Sequence, residues 1–236
     1  CGALWLIKDK LCNDFVFING DLIFSINFKK LSFFHMRLSS KLTLVTHTSD
    51  HPNDSDLVSV PNGTLVENIF LKSNDKNSEK NAYLGNAGIF IINKKLLDRL
   101  KAPNEKDSKS VFHYIVKNVF DLKINIYSYN TTEYIKDMGT PYRLKVVAED
   151  LSKEKVNRKN YKNIQKALFL DRDNTLIRCS LGKYVINKNE IEILSKNIEK
   201  IIPISLEYDL VCLLTNQPVI AMGKISLRDL NEINSI

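Results

Sequence analysis

Short apolar runs and helical spacings alternate along the first two thirds of the chain. The apolar runs have the length and composition of buried strands and occupy positions 15–18, 42–45, 88–92 and 124–129. Helical spacings follow at 94–101, 108–120 and 141–150, the last with Pro141 at the first position, which helix starts prefer. Alternating strands and helices predict an α/β layer architecture.

A long polar segment separates the second and third of these strands. Residues 46–80 are rich in Asp, Asn, Ser and Pro, which favour turns and loops. We therefore predict mostly loop in this segment, with two short strands at 57–60 and 65–70.

A second polar stretch, residues 151–166, has little apolar periodicity and is typical of a connection between domains. After it the alternation restarts, with strands at 167–170 and 210–214 and a helical spacing at 190–208 that Pro203 should kink or end. Ser226 and Asp229 then have the spacing of a capping box before a final helix. We predict three parts: a first domain over 1–152, a basic linker over 153–165 and a second domain over 166–236.

The net charge of +7 is concentrated in the predicted joint. Between 153 and 166 six cations face one acid, which accounts for five of the seven units: Lys153, Lys155, Arg158, Lys159, Lys162 and Lys166 against Glu154. A solvated connecting segment explains this pattern, and a strip that binds nucleic acid is the alternative. We expect no nucleic-acid partner.

Other features of the composition favour a cytoplasmic enzyme without a membrane partner. No run of 18 apolar residues and no basic region followed by an apolar one is present. The four cysteines form no C-x-x-C pair, which argues against a zinc knuckle and a disulfide framework. The sequence begins without an initiator Met, and we expect it to be a piece of a longer protein.

Two carboxylates follow the first strand after the joint. Asp171 and Asp173 lie at its end, and Thr215 follows the next strand. The carboxyl ends of parallel strands gather at one edge of a sheet, where ligands bind. One carboxylate can attack phosphorus while the other transfers a proton, with Mg²⁺ between the nucleophile and the phosphate. The pattern therefore predicts phosphoryl transfer through an aspartyl phosphate.

The runs LFLDRDNTL and LVCLLTNQPVIAMG resemble the first two motifs of the haloacid dehalogenase (HAD) superfamily. Within it, residues 166–236 are most similar to the histidinol-phosphate and D-glycero-D-manno-heptose 1,7-bisphosphate phosphatases. The resemblance implies the start of a HAD-type parallel αβα sandwich. It also implies that Asp171 is the nucleophile, Asp173 the general acid/base and Thr215 the phosphate-orienting hydroxyl, with Mg²⁺ held by Asp171 and Asp173. The substrate contacts that it implies come from Arg172, Thr175, Gly182, Tyr184, Asn216 and Gln217.

Two departures from this pattern affect what we expect. Asn174 stands where the family has Gly, and because both residues tolerate unusual turn dihedrals we expect the turn to form. The family's later Lys and acidic motifs have no counterpart before Ile236, and zinc is expected only in a cysteine loop that would lie beyond it. The phosphatase part is therefore expected to be incomplete at its C-terminal side.

The first domain also places carboxylates at strand ends, in Asn19-Gly20-Asp21 and in Asp137-Met138-Gly139-Thr140-Pro141. Each motif by itself is a common turn or helix start. Brought together, Asp21 and Asp137 could hold the Mg²⁺ that neutralises a nucleoside triphosphate while a sugar phosphate attacks its α-phosphorus. Asn86-Ala87-Gly88 lies between them in the sequence.

This combination resembles the sugar-1-phosphate nucleotidyltransferases over residues 1–151. Their motifs occur in the same order, here as Gly2-Ala3-Leu4, Asn19-Gly20-Asp21, Lys72, Asn86-Ala87-Gly88 and Asp137-x-Gly139-Thr140-Pro141. The resemblance implies a Rossmann-like mixed sheet, a metal site at Asp21 and Asp137, and substrate contacts from Gly20, Lys72, Asn86 and Gly88. For Lys72 a solvated loop lysine is an equal alternative. The family's first strand and Gly-rich loop would precede Cys1, so we expect a domain that lacks its N-terminal portion.

Together the two resemblances predict a bifunctional, Mg²⁺-dependent sugar-phosphate enzyme of nucleotide-activated heptose synthesis. Its partners would be small sugar phosphates and a nucleoside triphosphate. A histidinol-phosphate phosphatase joined to a hexose-1-phosphate nucleotidyltransferase is the first alternative. A remnant that keeps the fold without the chemistry is the second, and the fragment itself is expected to be inactive.

Overall fold

The computed structural model describes residues 2–48, 55–61, 63–72, 84–104, 110–180 and 182–234. The chain divides into two compact units, Cys1–Glu149 and Asp150–Ile236. The boundary lies within the helix that begins at Pro141. Among the described residues, none of the helices combines the length and the hydropathy that a membrane span requires.

The first unit is a mixed sheet covered by helices. Its strands are β1 (Asp14–Ile18), β2 (Leu22–Ser25), β3 (Leu42–Thr48), β4 (Leu57–Ser59), β5 (Asn68–Phe70), β6 (Leu84–Asn93), β7 (Ile126–Asn130) and β8 (Tyr134–Asp137). Its helices are α1 (Ala3–Leu6), a 3₁₀ turn (Lys8–Lys10), α2 (Phe28–Arg37), α3 (Lys94–Arg99), α4 (Val111–Asp121) and α5 (Pro141–Ser152). Every strand and helix predicted for this unit is confirmed within a few residues, although residues 108–109 of the α4 prediction lie outside the described residues. The predictions did not include α1, β2 and α2.

The long central strand β6 organises the main sheet. Its neighbours are antiparallel: β3 along one edge, and β4 and β1 in succession along the other. Strand β7 adds in parallel to β3, and β5 pairs with β4, so the order is β5-β4-β6-β3-β7 with β1 beside β6. Strands β2 and β8 form a separate antiparallel pair.

The core lies on both faces of this sheet. Phe90 and Ile92 of β6 pack in the larger apolar cluster with helices α3 and α4, while Ile89 and Ile91 pack in a second cluster with Leu31 of α2. Side chains alternate between faces along a strand, so an uninterrupted apolar run is required where both faces are covered. This explains the run at 88–92.

The second unit contains one parallel strand pair. Its elements are α6 (Lys155–Arg158), β9 (Ala167–Asp171), a 3₁₀ turn (Lys188–Glu190), α7 (Ser195–Ser205), β10 (Leu210–Leu214) and α8 (Leu227–Ile233). Strand β10 pairs in parallel with β9, as predicted, with Leu210 opposite Ala167. The capping box of Ser226 and Asp229 is present at the start of α8.

One expectation for this unit needs correction. The predicted helix 190–208 begins only at Ser195, because residues 188–190 form a separate 3₁₀ turn, and it ends at Ser205, two residues after Pro203. The stretch predicted as a basic linker contains the short helix α6, whose Val156 is buried. Two of its cations pair within the unit, Lys155 with Asp150 and Arg158 with Asp209.

Candidate active sites

The tripeptide Asn86-Ala87-Gly88 lies where β6 changes partners. Strand β4 pairs with residues 84–85 of β6, and β1 pairs with residues 89–93. Between them, the backbone N–H of Asn86 donates to the carbonyl of Asp56, and the carbonyl of Gly88 accepts from the N–H of Asn19, both at 2.9 Å. The tripeptide therefore lies between the ends of two neighbouring strands, and within it the N–H of Gly88 donates to Oδ1 of Asn86 at 3.1 Å.

Gly88 is a glycine for a steric reason. Its φ is +72°, and a Cβ placed there would lie 2.7 Å from Nδ2 of Asn19 and 3.2 Å from Cδ1 of Leu22. Left-handed backbone is costly for L-residues with a side chain. Gly88 thus allows the loop at Asn19 to lie directly against β6.

Asp21 and Asp137 come together across the β2–β8 pair. Leu22 lies opposite Asp137 in the register, and the N–H of Met138 donates to the carbonyl of Asp21 at 2.8 Å. A Cβ on Gly139 would lie 3.4 Å from Oδ1 of Asp137 and 3.7 Å from Oδ2 of Asp21. The two carboxylates therefore face one small space that glycine leaves open.

This pair fits a hard divalent cation. Mg²⁺ prefers oxygen ligands and is usually held by one or two carboxylates, with waters and substrate phosphates completing its shell. In the part of the chain that the structure describes, no group of three or more His, Cys, Asp or Glu side chains could hold a metal ion. The site therefore suits a cation that arrives with a phosphate ligand rather than a closed protein cage.

Arg143 is a neighbour of this pair that the motifs did not predict. Its Nη1 donates to Oδ1 of Asp137 at 2.7 Å, and the same oxygen accepts from the N–H of Gly139 at 3.2 Å. The only signal for it in the sequence is its position in the first turn of the helix that follows the Asp-x-Gly-Thr-Pro motif.

Lys72 and Asn86 are linked through Asp56. The Asp56 carboxylate accepts from the backbone N–H of Lys72 at 2.7 Å, and the backbone carbonyl of Asp56 accepts from the backbone N–H of Asn86. Nε2 of His113 on α4 lies 2.9 Å and 3.1 Å from the two oxygens of that carboxylate. Gly20 is exposed, and a Cβ there would meet nothing within 4 Å.

In the second unit, the parallel register places Asp171 beside Leu214, and Thr215 follows directly. Asp171 is exposed at the strand end, and its Oδ1 accepts from the N–H of Arg172 at 2.8 Å. The turn after it forms as expected, because Asn174 adopts a φ of +60° in place of glycine.

Asp173 is held from two sides. Nε of Arg172 donates to its Oδ1 at 2.8 Å, and Nε2 of Gln217 donates to its Oδ2 at 2.7 Å. The same Nε2 lies 2.9 Å from Oγ1 of Thr215. The structure thus brings Asp173, Thr215 and Gln217 into one network at the ends of the two strands.

Arg172 points inward, in contrast to the substrate contact that the resemblance implied. Its side chain is 3% exposed, and Nη1 donates to Oδ1 of Asn234 after α8 at 3.0 Å. Nη2 of Arg172 and Oε1 of Gln217 are buried without hydrogen-bond partners among the described residues. A guanidinium so enclosed holds Asp173 rather than reaching a substrate.

The remaining predicted contacts of this unit are Thr175, Gly182, Tyr184 and Asn216. Thr175 is in the turn, where its N–H donates to the carbonyl of Arg172 at 3.3 Å. Gly182 has a φ of +72° and is exposed, while Tyr184 is half-buried. Across the described residues, no hydrogen bond joins Gly182, Tyr184 or Asn216 to the two carboxylates.

Comparisons with known proteins bear on part of the chain. No protein-family model matches it. It is 27% identical over 143 residues to the mannose-1-phosphate guanylyltransferase catalytic subunit beta of Drosophila melanogaster and to the mannose-1-phosphate guanyltransferase of Saccharomyces cerevisiae. These matches cover 59% of this chain but only 36% and 38% of the two relatives.

A solved structure shows the same architecture. A Bacillus anthracis protein described as a glucose-1-phosphate thymidylyltransferase, in complex with sucrose, superposes with a TM-score of 0.51 at 17% identity over 62% of this chain and 58% of its own. Over that part, the chain has a nucleotidyltransferase fold. The predicted resemblance is confirmed at this level. None of these three proteins is a phosphatase, and the chemistry of the second unit stays a prediction.

Proposed function

We propose that the first unit serves the transfer of a nucleotidyl group to a sugar 1-phosphate. The observation that carries this proposal is the meeting of Asp21 and Asp137 at the space left by Gly139, with Asn19 of the same Asn-Gly-Asp turn lying against Gly88. In the reaction, an oxygen of the sugar 1-phosphate attacks the α-phosphorus of a nucleoside triphosphate, the bond to the β-phosphate breaks, and pyrophosphate leaves.

The chain's own residues have separable roles in this proposal. Asp21 and Asp137 would hold the divalent cation, which neutralises phosphate charge when bound. The break between β4 and β1 would present the side-chain amide nitrogen of Asn86 to the sugar, and Gly88 would let the Asn19 loop lie beside it. Asp56 would keep the backbones of Lys72 and Asn86 in position. We infer a manno-configured sugar because the curated relatives are named for mannose 1-phosphate. A manno-heptose 1-phosphate shares that ring.

Binding measurements test this function directly on the chain. With Mg²⁺ present, calorimetry should detect the binding of mannose 1-phosphate or manno-heptose 1-phosphate, and Asp21→Asn should abolish the Mg²⁺ dependence of that binding. Asp121→Asn is the matched control, because Asp121 is an exposed carboxylate at the end of α4. Binding of these sugar 1-phosphates that depends on Mg²⁺ to the same extent in Asp21→Asn as in the wild type would reject the proposal.

A second candidate function belongs to the second unit. We propose that it belongs to a phosphatase for a sugar bisphosphate, because Asp171 and the braced Asp173 follow β9 while Thr215 follows the adjacent parallel strand β10. The carboxylate of Asp171 would attack phosphorus, the bond to the sugar oxygen would break, and Asp173 would protonate that oxygen. Water would then release phosphate from the aspartyl phosphate, after giving a proton to Asp173. A divalent cation at Asp171 and Asp173 would offset the negative charge of the phosphate.

The two functions form a coherent pair, since loss of one phosphate from a heptose 1,7-bisphosphate leaves a sugar 1-phosphate for the other. Phosphate release with Mg²⁺ from heptose 1,7-bisphosphate and from histidinol phosphate separates the two substrate hypotheses. Asp171→Asn should abolish release, and Glu199→Gln, an exposed carboxylate on α7, is the control for a lost negative charge. Turnover that survives Asp171→Asn would exclude the assigned nucleophile.

A further inference from the structure

Asp137 has a cationic partner on the side that faces Asp21. The oxygen that accepts from Arg143 at 2.7 Å is Oδ1, which is also the atom 3.4 Å from the Cβ position of Gly139. The side chains of Arg143 and Asp137 are 25% and 31% exposed, so the pair is neither buried nor fully solvated. A cation between Asp21 and Asp137 would share this carboxylate with the guanidinium.

The backbone of Arg143 is held by the start of α5. Oγ1 of Thr140 accepts from the N–H of Arg143 at 3.2 Å, which is the bond of an N-cap to the third helical residue. Pro141 occupies the first helical position, where its fixed φ suits the helix. The backbone of Arg143 is therefore held in the capped first turn of α5, and from there its guanidinium reaches back to Asp137.

We propose that Arg143 sets the divalent-cation affinity of the Asp21–Asp137 pair. This inference rests on the proposed nucleotidyl transfer, which needs a cation at that pair. Two positive centres that share one carboxylate repel each other, and at partly exposed positions the repulsion is reduced by water and salt but not removed. Arg143 thus weakens cation binding and favours a cation that arrives with nucleotide phosphates over one held by the protein alone.

Direct titration with Mn²⁺, followed by the electron paramagnetic resonance of the free ion, tests this without any assay of turnover. At low salt we expect Arg143→Gln to lower the Kd for Mn²⁺ about three- to tenfold, as Coulomb repulsion at this range and exposure implies. The Kd of Arg143→Lys for Mn²⁺ should stay close to that of the wild type because lysine keeps the positive charge. The effect of Arg143→Gln should shrink in 1 M NaCl, where the Debye screening length is about 3 Å.

Arg99→Gln is the matched control, because it removes one charge from an exposed position at the end of α3. A Kd for Arg143→Gln that equals those of the wild type and Arg99→Gln, or one that rises, would overturn the role of Arg143. A different result would reject the proposed function itself: Mn²⁺ binding that is unaffected by both Asp21→Asn and Asp137→Asn. The two failures are therefore distinguishable.

Discussion

Substituting Gly88 by alanine should destabilise the first unit. The backbone there has a φ of +72°, and left-handed backbone costs an L-residue about 1–2 kcal/mol. In addition, the new Cβ would lie 2.7 Å from Nδ2 of Asn19 and 3.2 Å from Cδ1 of Leu22. Both atoms are ends of side chains that can shift, so this contact should add about 1 kcal/mol, the low end for overpacking. We expect Gly88→Ala to lower the free energy of unfolding by about 2–3 kcal/mol.

Gly63→Ala separates the two contributions. Gly63 has a similar φ of +68°, but a Cβ there would meet nothing within 4 Å. It should therefore show only the backbone cost of about 1–2 kcal/mol. Adding Asn19→Ala to Gly88→Ala should recover part of the difference, because it removes the amide nitrogen that lies closest to the new Cβ, while Cδ1 of Leu22 and the backbone bond from the Asn19 N–H to Gly88 remain.

Urea unfolding followed by the fluorescence of Trp5 is a suitable assay. Trp5 is the single tryptophan of the chain and packs against the core of the first unit, with its ring 5.4 Å from that of Tyr114. It therefore reports on the unit that contains both glycines. Equal losses for Gly88→Ala and Gly63→Ala, or no recovery with Asn19→Ala, would refute the steric role of Gly88.

Two further predictions concern polar contacts. His113→Ala should lower the free energy of unfolding in the Trp5 assay by about 1.5–3 kcal/mol, because it removes a hydrogen bond to the partly buried carboxylate of Asp56. A loss below about 0.5 kcal/mol, which is the range of ordinary surface substitutions, would contradict this prediction. The pKa of Asp229 is lowered from 3.8 by the hydrogen bonds that its carboxylate accepts from the N–H and hydroxyl of Ser226. The stabilisation of α8 by this carboxylate should thus be present above pH 3.8 and lost as the pH falls through the lowered pKa. Asp229→Asn should remove that acid dependence from the helical circular dichroism, and an unchanged acid transition would count against the capping role.

The local predictions succeeded where the hydrophobic pattern alone determines the structure. The run at 88–92 is buried on both faces of the sheet, so its apolar composition predicts a strand. The spacing of Ser226 and Asp229 defines a helix start within four residues, and the capping box is there. Strand β2 was missed because its four residues are only half-buried and pair with β8, more than a hundred positions away in the sequence.

The candidate sites also contain residues that their motifs identify and one that only the fold identifies. Asp21 and Asp137 could be named from their motifs as carboxylates at strand ends, and so could Asp171 and Asp173. Arg143 could not be named, because its partner is known only once the β2–β8 register and the start of α5 place the two side chains together.

The sequence by itself determined the kinds of chemistry available: pairs of carboxylates, strand-end turns and a glycine at each tight approach. The tertiary structure decided which of these groups meet. It placed Asp21 against Asp137 across two strands, turned Arg172 inward to Asp173 and Asn234, and joined Lys72 to Asn86 through Asp56. Composition and spacing act over a few residues, whereas these contacts depend on sheet register and packing between distant segments, and only the folded chain specifies them.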